Sequence, residues 1–326
     1  MKQCNLVKAV QRQVEQQGRS FPEPPLMCEA LEPNIKLRQA ERLFEGQLIG
    51  PESMANIGGV LYTGTADGKI VKIEDGKMHT LATLGRPPCG KVKVLVSTRI
   101  PVNGKSLSFV NDLDVTRDGR KIYFTDSSSK WQRRDYAYLI MEGINDGRLL
   151  EYDTFTKEVT VLMDDLRFPN GVQLSPNEDF VLVAEMTMAR IRRCYVSGLN
   201  KGGLDLFVEN LPGFPDNIRS SSSGGYWVAM SAVRPNPGFS MLDFLSQKPW
   251  IKKIIFKLLS QETLMQFIPK YSLVVELYDN GVCKRSFHDP HGVVATYVSE
   301  AHEQDGYLYL GSFRSPFLCR LNLSEV

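Results

Sequence analysis

No stretch of this sequence approaches the ~20 uninterrupted apolar residues of a membrane-spanning helix. Lys2, Lys8, Arg12, Glu15 and Arg19 interrupt the first twenty positions, so neither an anchor nor a signal peptide is read there. Charge of one sign is also missing. Thirty-nine Lys and Arg stand against 37 Asp and Glu, a formal net charge of +2, which gives no electrostatic argument for nucleic acid as a partner. Cysteine is sparse and scattered, at Cys4, Cys28, Cys89, Cys194, Cys283 and Cys319. No pair has the C-x-x-C spacing of a zinc or redox site, and the density is too low for a disulfide framework, leaving room for one bridge at most. Histidine is limited to His79, His288, His291 and His302.

The chain has 326 residues, 42% of them hydrophobic, enough for one large or two medium cores. Residues 1–36 are rich in Gln, Glu and Pro and read as an N-terminal tail, with Phe21-Pro-Glu-Pro-Pro25 extended. From Leu37 to Val326 one pattern returns: an alternating strand, a Gly, Asn or Asp turn, and a β-branched or aromatic return strand. Units of this kind start near Ile49, Ser108, Arg167, Gly213 and Val294. A period of roughly 40 to 60 residues with short strands predicts propeller blades, since sandwiches lack such self-similarity and β-helix coils are shorter. The fold class is therefore all-β. Met241 to Phe267 breaks the pattern, with Leu242, Leu245, Trp250, Ile254, Ile255, Leu258 and Leu259 near helical spacing and Lys248, Lys252, Lys253 and Lys257 between them. This predicts a helical insert over 241–268, split by Pro249 into two short helices. A packed helix is the default role; a lid over the channel and a membrane-surface helix with snorkelling lysines stay open.

Four units open with an oxygen-bearing side chain at matching phase: Glu52 in GPESM, Asn111 in FVNDL, Asn170 in FPNGV and Asp216 in FPDNI. Any one such motif is adequately explained as a turn. Four in register place their oxygens at the start of the innermost strands, where they converge on the axis. Two carboxylates and two amides form a hard-oxygen set suited to Ca²⁺. His291, in SFHDPHGVV, is a candidate proton shuttle. Asp126 and the basic run Lys130–Arg134 are candidate pocket residues, against the plainer reading of a solvated loop. Asn322-Leu-Ser324 is a possible glycan acceptor.

The segments KLRQAERLFEGQLIGPES, SFVNDLDVTRDGRKIYFTDSSSKWQRRDY, RFPNGVQLSPNEDFVLVAE, FVENLPGFPDNIR and YLYLGSFRSPFLCRL resemble the strictosidine-synthase-like group of six-bladed propellers, from Lys36 to the C-terminus. Related paraoxonases and phosphotriesterase-type propellers hold a catalytic calcium with a Glu-Asn-Asn-Asp set. The resemblance carries that set onto Glu52, Asn111, Asn170 and Asp216, with Asn217 a further ligand in some relatives. It implies a calcium-dependent hydrolase of the arylesterase or lactonase type acting on a small-molecule ester or lactone, with Asp216 as nucleophile or base. It also implies a glycoprotein held on the non-cytosolic side of a membrane. Strictosidine synthase chemistry is disfavoured, because Thr296 or Tyr297 stands where synthases carry a glutamate.

One departure is visible. Between Gly85 and Val96 the family carries most of a second blade, and the interval from Glu52 to Asn111 is too short to hold it. The expectation is a six-bladed-type propeller with one blade largely deleted, its ring either closed with five blades or gapped. The alternatives to a hydrolase are a non-catalytic interaction propeller and an inactive truncated isoform, each with structural calcium.

Overall fold

The computed structural model describes residues 21–84, 94–266 and 268–326. The first twenty residues of the expected tail, Cys4, Cys89 and Phe267 lie outside the described residues. Twenty strands form five antiparallel sheets of four strands each. Blade one is β2 (Met54–Ile57), β3 (Val60–Gly64), β4 (Lys69–Glu74) and β5 (Lys77–Thr83). Blade two is β6 (Val110–Val115), β7 (Lys121–Asp126), β8 (Gly147–Asp153) and β9 (Val159–Leu166). Blade three runs through β10 (Pro169–Leu174), β11 (Phe180–Glu185), β12 (Arg190–Tyr195) and β13 (Leu204–Val208). Blade four comprises β14 (Gly213–Ser220), β15 (Tyr226–Val233), β16 (Ser272–Leu277) and β17 (Cys283–Asp289). Blade five joins β18 (Glu300–Gln304), β19 (Tyr307–Gly311) and β20 (Leu318–Asn322) to β1 (Glu41–Leu43), which pairs with β20 and ties the two ends of the domain together.

The propeller expectation holds, but the count is corrected. There are five blades, not a six-bladed ring with one blade deleted. Among the described residues between β5 and β6 the only pairing is the isolated Val102–Lys105 bridge, so there is no remnant of a further sheet. Blades are held face to face by apolar side chains. Leu182, Ala184 and Ile191 of blade three meet Val228, Met230 and Val275 of blade four. Trp227, Val274 and Phe287 of blade four meet Ala301, Leu308 and Leu310 of blade five. Each large side chain fully buried this way stabilises the fold by about 1.5–3 kcal/mol. Blades one and two are different. Ile57 on β2 and Val110, Leu113 and Val115 on β6 are exposed, whereas the inner strand of blade three is almost wholly buried.

Residues 21–36 are not a free tail. Phe21 packs edge-on to Phe214, Arg234 donates to the Pro22 carbonyl at 2.9 Å, and Met27 N donates to Asn236 O at 3.0 Å. The four cysteines Cys28, Cys194, Cys283 and Cys319 are free thiols.

The helical insert lies between β15 and β16 and forms three short helices rather than two: α2 (Met241–Ser246), α3 (Pro249–Leu258) and α4 (Gln261–Gln266). Ser240 caps α2 by accepting from Asp243 N, and Pro249 starts α3 at a position where its missing N–H costs nothing. The insert packs on α1 (Tyr136–Glu142), an excursion from blade two, with Phe256 stacked on Tyr138 at 5.3 Å.

Candidate metal centre and substrate cavity

The first strand of each blade is the innermost, and three of them share a defect. The ladder register slips between Val110 and Leu113 on β6, between Pro169 and Val172 on β10, and between Pro215 and Ile218 on β14. The residues inside the three slips are Asn111-Asp112, Asn170-Gly171 and Asp216-Asn217. A bulge unpairs the strand and re-aims its side chains. Here the matching bulges lie where Asn111, Asn170 and Asp216 line a shared cavity. Gly171 lets the strands close up: a Cβ there would lie 2.5 Å from the Asp216 carbonyl oxygen and 2.7 Å from Asn217 Cα.

The expected oxygen set does come together around one cavity, whose lining includes Glu52, Asn111, Asn170 and Asp216. Asn170 Nδ2 donates to Asp216 Oδ1 at 2.5 Å, while Asn170 Oδ1 is buried without a partner. Asn111 is held the same way: its Nδ2 donates to Ser127 Oγ at 3.0 Å, and Ser127 Oγ donates to Pro169 O at 2.7 Å. Both amides are fixed by nitrogen, which leaves oxygen as the ligand end. Asp216 is 4% exposed. Burial, reinforced by the Glu52 charge, pushes its carboxyl well above the usual carboxylate range, against the opposing pull of Arg133 and Asn170.

A cation fits this chemistry. A buried acceptor left unpaired costs about 1–3 kcal/mol, and Asn170 Oδ1 is such an atom, next to a carboxyl whose charged form burial disfavours unless a cation offsets it. Among the described residues no group of three His, Cys, Asp or Glu side chains forms a metal site; two amides and two carboxylates fall outside that pattern but within calcium's preference for neutral and charged oxygens.

The basic run read as a pocket candidate lines the cavity, and further polar groups there escaped the sequence reading. Arg133 Nη2 lies 2.5 Å from Glu52 Oε2, so the basic run does reach the cavity, which Arg134 also lines. A second polar layer is built on Arg219, which donates to both Asp112 oxygens at 2.8 and 3.1 Å and to Glu300 Oε2 at 2.7 Å. Asn217 donates to the same Glu300 oxygen at 2.7 Å, so its amide serves this layer. Burial pushes the Glu300 carboxyl up to about 8, against Arg219. In the fifth repeat Ser299 stands at the phase of Asn111, Asn170 and Asp216, and Glu300, one position on, shares the phase of Asp112 and Asn217, with which it forms this layer.

Two sequence candidates stand elsewhere. His291 is exposed after β17 and is not among the residues lining the cavity. Asp126 is fully buried, bound by Arg148 Nη2 at 2.7 Å, and accepts from Phe109 N at 3.0 Å; it anchors the chain that enters β6.

The cavity measures about 660 Å³. Phe109, Phe168, Phe214 and Phe313 give it an aromatic wall, and Phe239, Met241, Leu242, Leu264 and Ile268 bring the helical insert over it. The insert therefore roofs the cavity.

Comparison with known proteins agrees with this architecture. The profile of the family described as strictosidine synthase matches residues 111–199, and that of the strictosidine synthase-like N-terminal region matches residues 30–73. The human adipocyte plasma membrane-associated protein is 64% identical over 352 aligned positions, covering 96% of this chain and 85% of that one. Because the alignment is longer than this chain, the human protein carries residues within the matched span that are absent here. Among solved structures, a gluconolactonase from Xanthomonas campestris aligns with a TM-score of 0.58 at 17% identity, over 95% of this chain and 99% of its own. The calcium-binding protein regucalcin from Agrobacterium tumefaciens aligns with a TM-score of 0.56 at 10% identity, over 86% and 92%. At such identities these two establish the propeller fold alone.

Proposed function

From the premise that the chain belongs to the strictosidine-synthase-like family, to which the adipocyte plasma membrane-associated proteins also belong, we propose that it is a hydrolase of apolar esters or lactones dependent on calcium. The observation that carries this reading is the orphaned Asn170 Oδ1 beside Asp216, at the floor of a roofed cavity with Glu52 and Asn111. Two of the solved propellers that share the fold are described as a gluconolactonase and a calcium-binding protein, which supports the reading without deciding it.

Glu52, Asn111, Asn170 and Asp216 would hold the ion. Bound there, calcium supplies Lewis-acid polarisation of a carbonyl oxygen and stabilises the negative charge that develops on it. The chain's own residues do the rest. The four phenylalanines of the wall accept an acyl or aryl group, and the roofing insert excludes water from it. Asn170 fixes the orientation of the Asp216 carboxyl through its 2.5 Å hydrogen bond. Asp216 is the carboxyl placed to attack the ester carbon or to take a proton from water, since it borders the cavity beside the two amides. Arg133 brings a fixed positive charge to the same rim. The family relationship supports placement at a membrane, with the propeller on the non-cytosolic side; among the described residues no helix is long and apolar enough to cross one.

The test is hydrolysis of phenyl acetate and of an aliphatic lactone with calcium, with chelator, and by Asp216→Ala. Turnover that needs both the metal and Asp216 supports the proposal. Calcium binding by a chain with no turnover of either substrate overturns it in favour of an interaction propeller.

A further inference from the structure

The ionisable side chains that line the cavity, among the described residues, are Glu52, Asp216, Arg133, Arg134 and the phenol of Tyr136. Two acids stand with two arginines, but the acids are already engaged. Glu52 is bound by Arg133 at 2.5 Å. Asp216 is buried and accepts from Asn170, and burial disfavours its charged form unless a cation offsets it. Arg134 is not engaged in the same way. Among the described acids it meets only its neighbour Asp135, at 3.7 Å, which is longer than a hydrogen bond, and its own side chain is 79% exposed.

A third arginine adds to this excess. Arg314 follows Phe313 of the cavity wall, and its guanidinium lies 4.6 Å from the centre of the Tyr297 ring. Among the described residues no acid forms an ion pair with it. Burial raises the Tyr136 phenol above its ordinary range, and the charges of Arg314 and then Arg133 oppose that rise. Both guanidiniums therefore act on the part of the cavity where Tyr136 packs on Phe313, at 5.9 Å between ring centres. The uncompensated charge around the cavity is positive. A calcium ion held by Glu52 and Asp216 would not reverse this sign: its two charges balance those two carboxylates, and Arg133 is then released.

We propose that the cavity takes an amphipathic anion, an ester or lactone with an apolar body against the phenylalanine wall and one anionic group held by Arg134 and Arg314. A guanidinium presents its donors as a fork that fits the oxygens of a carboxylate or sulfonate. A cationic ligand is disfavoured, because neither acid is free to receive it. A neutral ligand uses the wall but gains nothing from the arginines, and a small anion without an apolar body forfeits the wall, where each buried CH₂ is worth about 0.8 kcal/mol. The proposal rests on the hydrolase reading for the fate of the ligand; the binding itself needs no turnover.

The measurement is titration calorimetry of the whole chain with 1-octanesulfonate and with 1-octanol, which share one alkyl group and differ in charge. Each exposed arginine is worth up to about fivefold. Octanesulfonate should therefore bind about tenfold more tightly than octanol, with calcium and with chelator alike. Arg134→Gln with Arg314→Gln should reduce that ratio to about twofold, while the melting temperature and the affinity for octanol stay as they were. Arg134→Lys with Arg314→Lys should keep most of the preference. No binding of either compound, equal affinity for both, a preference that the glutamine variant leaves intact, or one that vanishes in chelator would each overturn the proposal. Phenyl acetate turnover on the same samples keeps the two readings apart. Turnover without a sulfonate preference removes this proposal and leaves the hydrolase; a sulfonate preference without turnover does the reverse.

Discussion

The Arg133 guanidinium reaches the Glu52 carboxylate at 2.5 Å, so one ligand of the expected calcium set is already paired with a cation supplied by the chain. Arg133 is held strongly protonated, first by Glu52 and further by Asp216. A calcium ion must share Glu52 with it or displace it.

Arg133→Gln should therefore tighten calcium binding. The arginine is about half exposed, and screening limits such a pair to roughly 1 kcal/mol, so a gain of about fivefold is expected. Terbium luminescence, or the calcium dependence of the melting temperature, measures it. If wild type and variant bind equally, Arg133 does not compete; if neither binds, the calcium site itself is wrong.

Gly171→Ala should loosen the floor of the site. The added methyl meets three backbone atoms of Asp216, Asn217 and Ile218 at 2.5–2.7 Å, none of which can rotate aside. A loss of about 2–3 kcal/mol in urea unfolding is expected. The calcium-induced rise in melting temperature should shrink with it, because the clash separates Asn170 from Asp216.

Asp126→Ala should be among the most damaging single changes. Asp126 and Arg148 are both fully buried, and removing the acid strands the guanidinium while freeing the N–H groups of Ser108 and Phe109. Breaking a buried pair in this way costs about 3–5 kcal/mol. Chemical denaturation measures the loss, and a drop below 1 kcal/mol would mean that water enters and rescues Arg148.

Acid should act through the buried histidines. Burial lowers His288 and His302 to about 4, and neither ring nitrogen of His302 has a partner. The unfolded chain takes up these protons first, near its ordinary pKa of about 6.5. Stability from these groups is therefore complete above that pH and is lost as pH falls from 6.5 to 4. Each lowered pKa corresponds to about 3 kcal/mol over that window. Glu300, raised by burial, works in the opposite sense, losing its contribution as pH rises from its ordinary value through about 8. The comparison is accordingly between wild type and His302→Phe: the variant's relative stability should grow steadily as pH falls from 6.5 to 4. A difference independent of pH would show that His302 titrates alike in the folded and unfolded chain.

Much of this was legible in the residues. The repeating strand, turn and return pattern identified the blades, and the shared phase of Glu52, Asn111, Asn170 and Asp216 singled out four side chains that line one cavity. Glu300 does not share that phase, which Ser299 holds in the fifth repeat; it stands one position on, level with Asp112 and Asn217, in a repeat without a Pro-Asn or Pro-Asp signature. Arg133 was not legible as an individual residue. It sits in a run, Lys130–Arg134, in which solvated and inward-facing arginines look alike, and only the fold brings that loop to Glu52 across 81 positions. His291 looked functional because of its neighbours in sequence, yet its loop leaves it in solvent.

The sequence by itself determined the local periods: period two for the strands, a helical period for the insert, and a polar oxygen once per repeat. These depend on neighbours a few positions apart. Tertiary structure alone decided the number of blades, because closure depends on how the strand faces pack rather than on any one repeat. It decided which side of α3 is buried, because Trp250, Ile254 and Leu258 are as apolar as the residues that face Tyr138. It also decided that Arg133 and Asp216 share one cavity, since their charges interact through a distance that chain position does not encode.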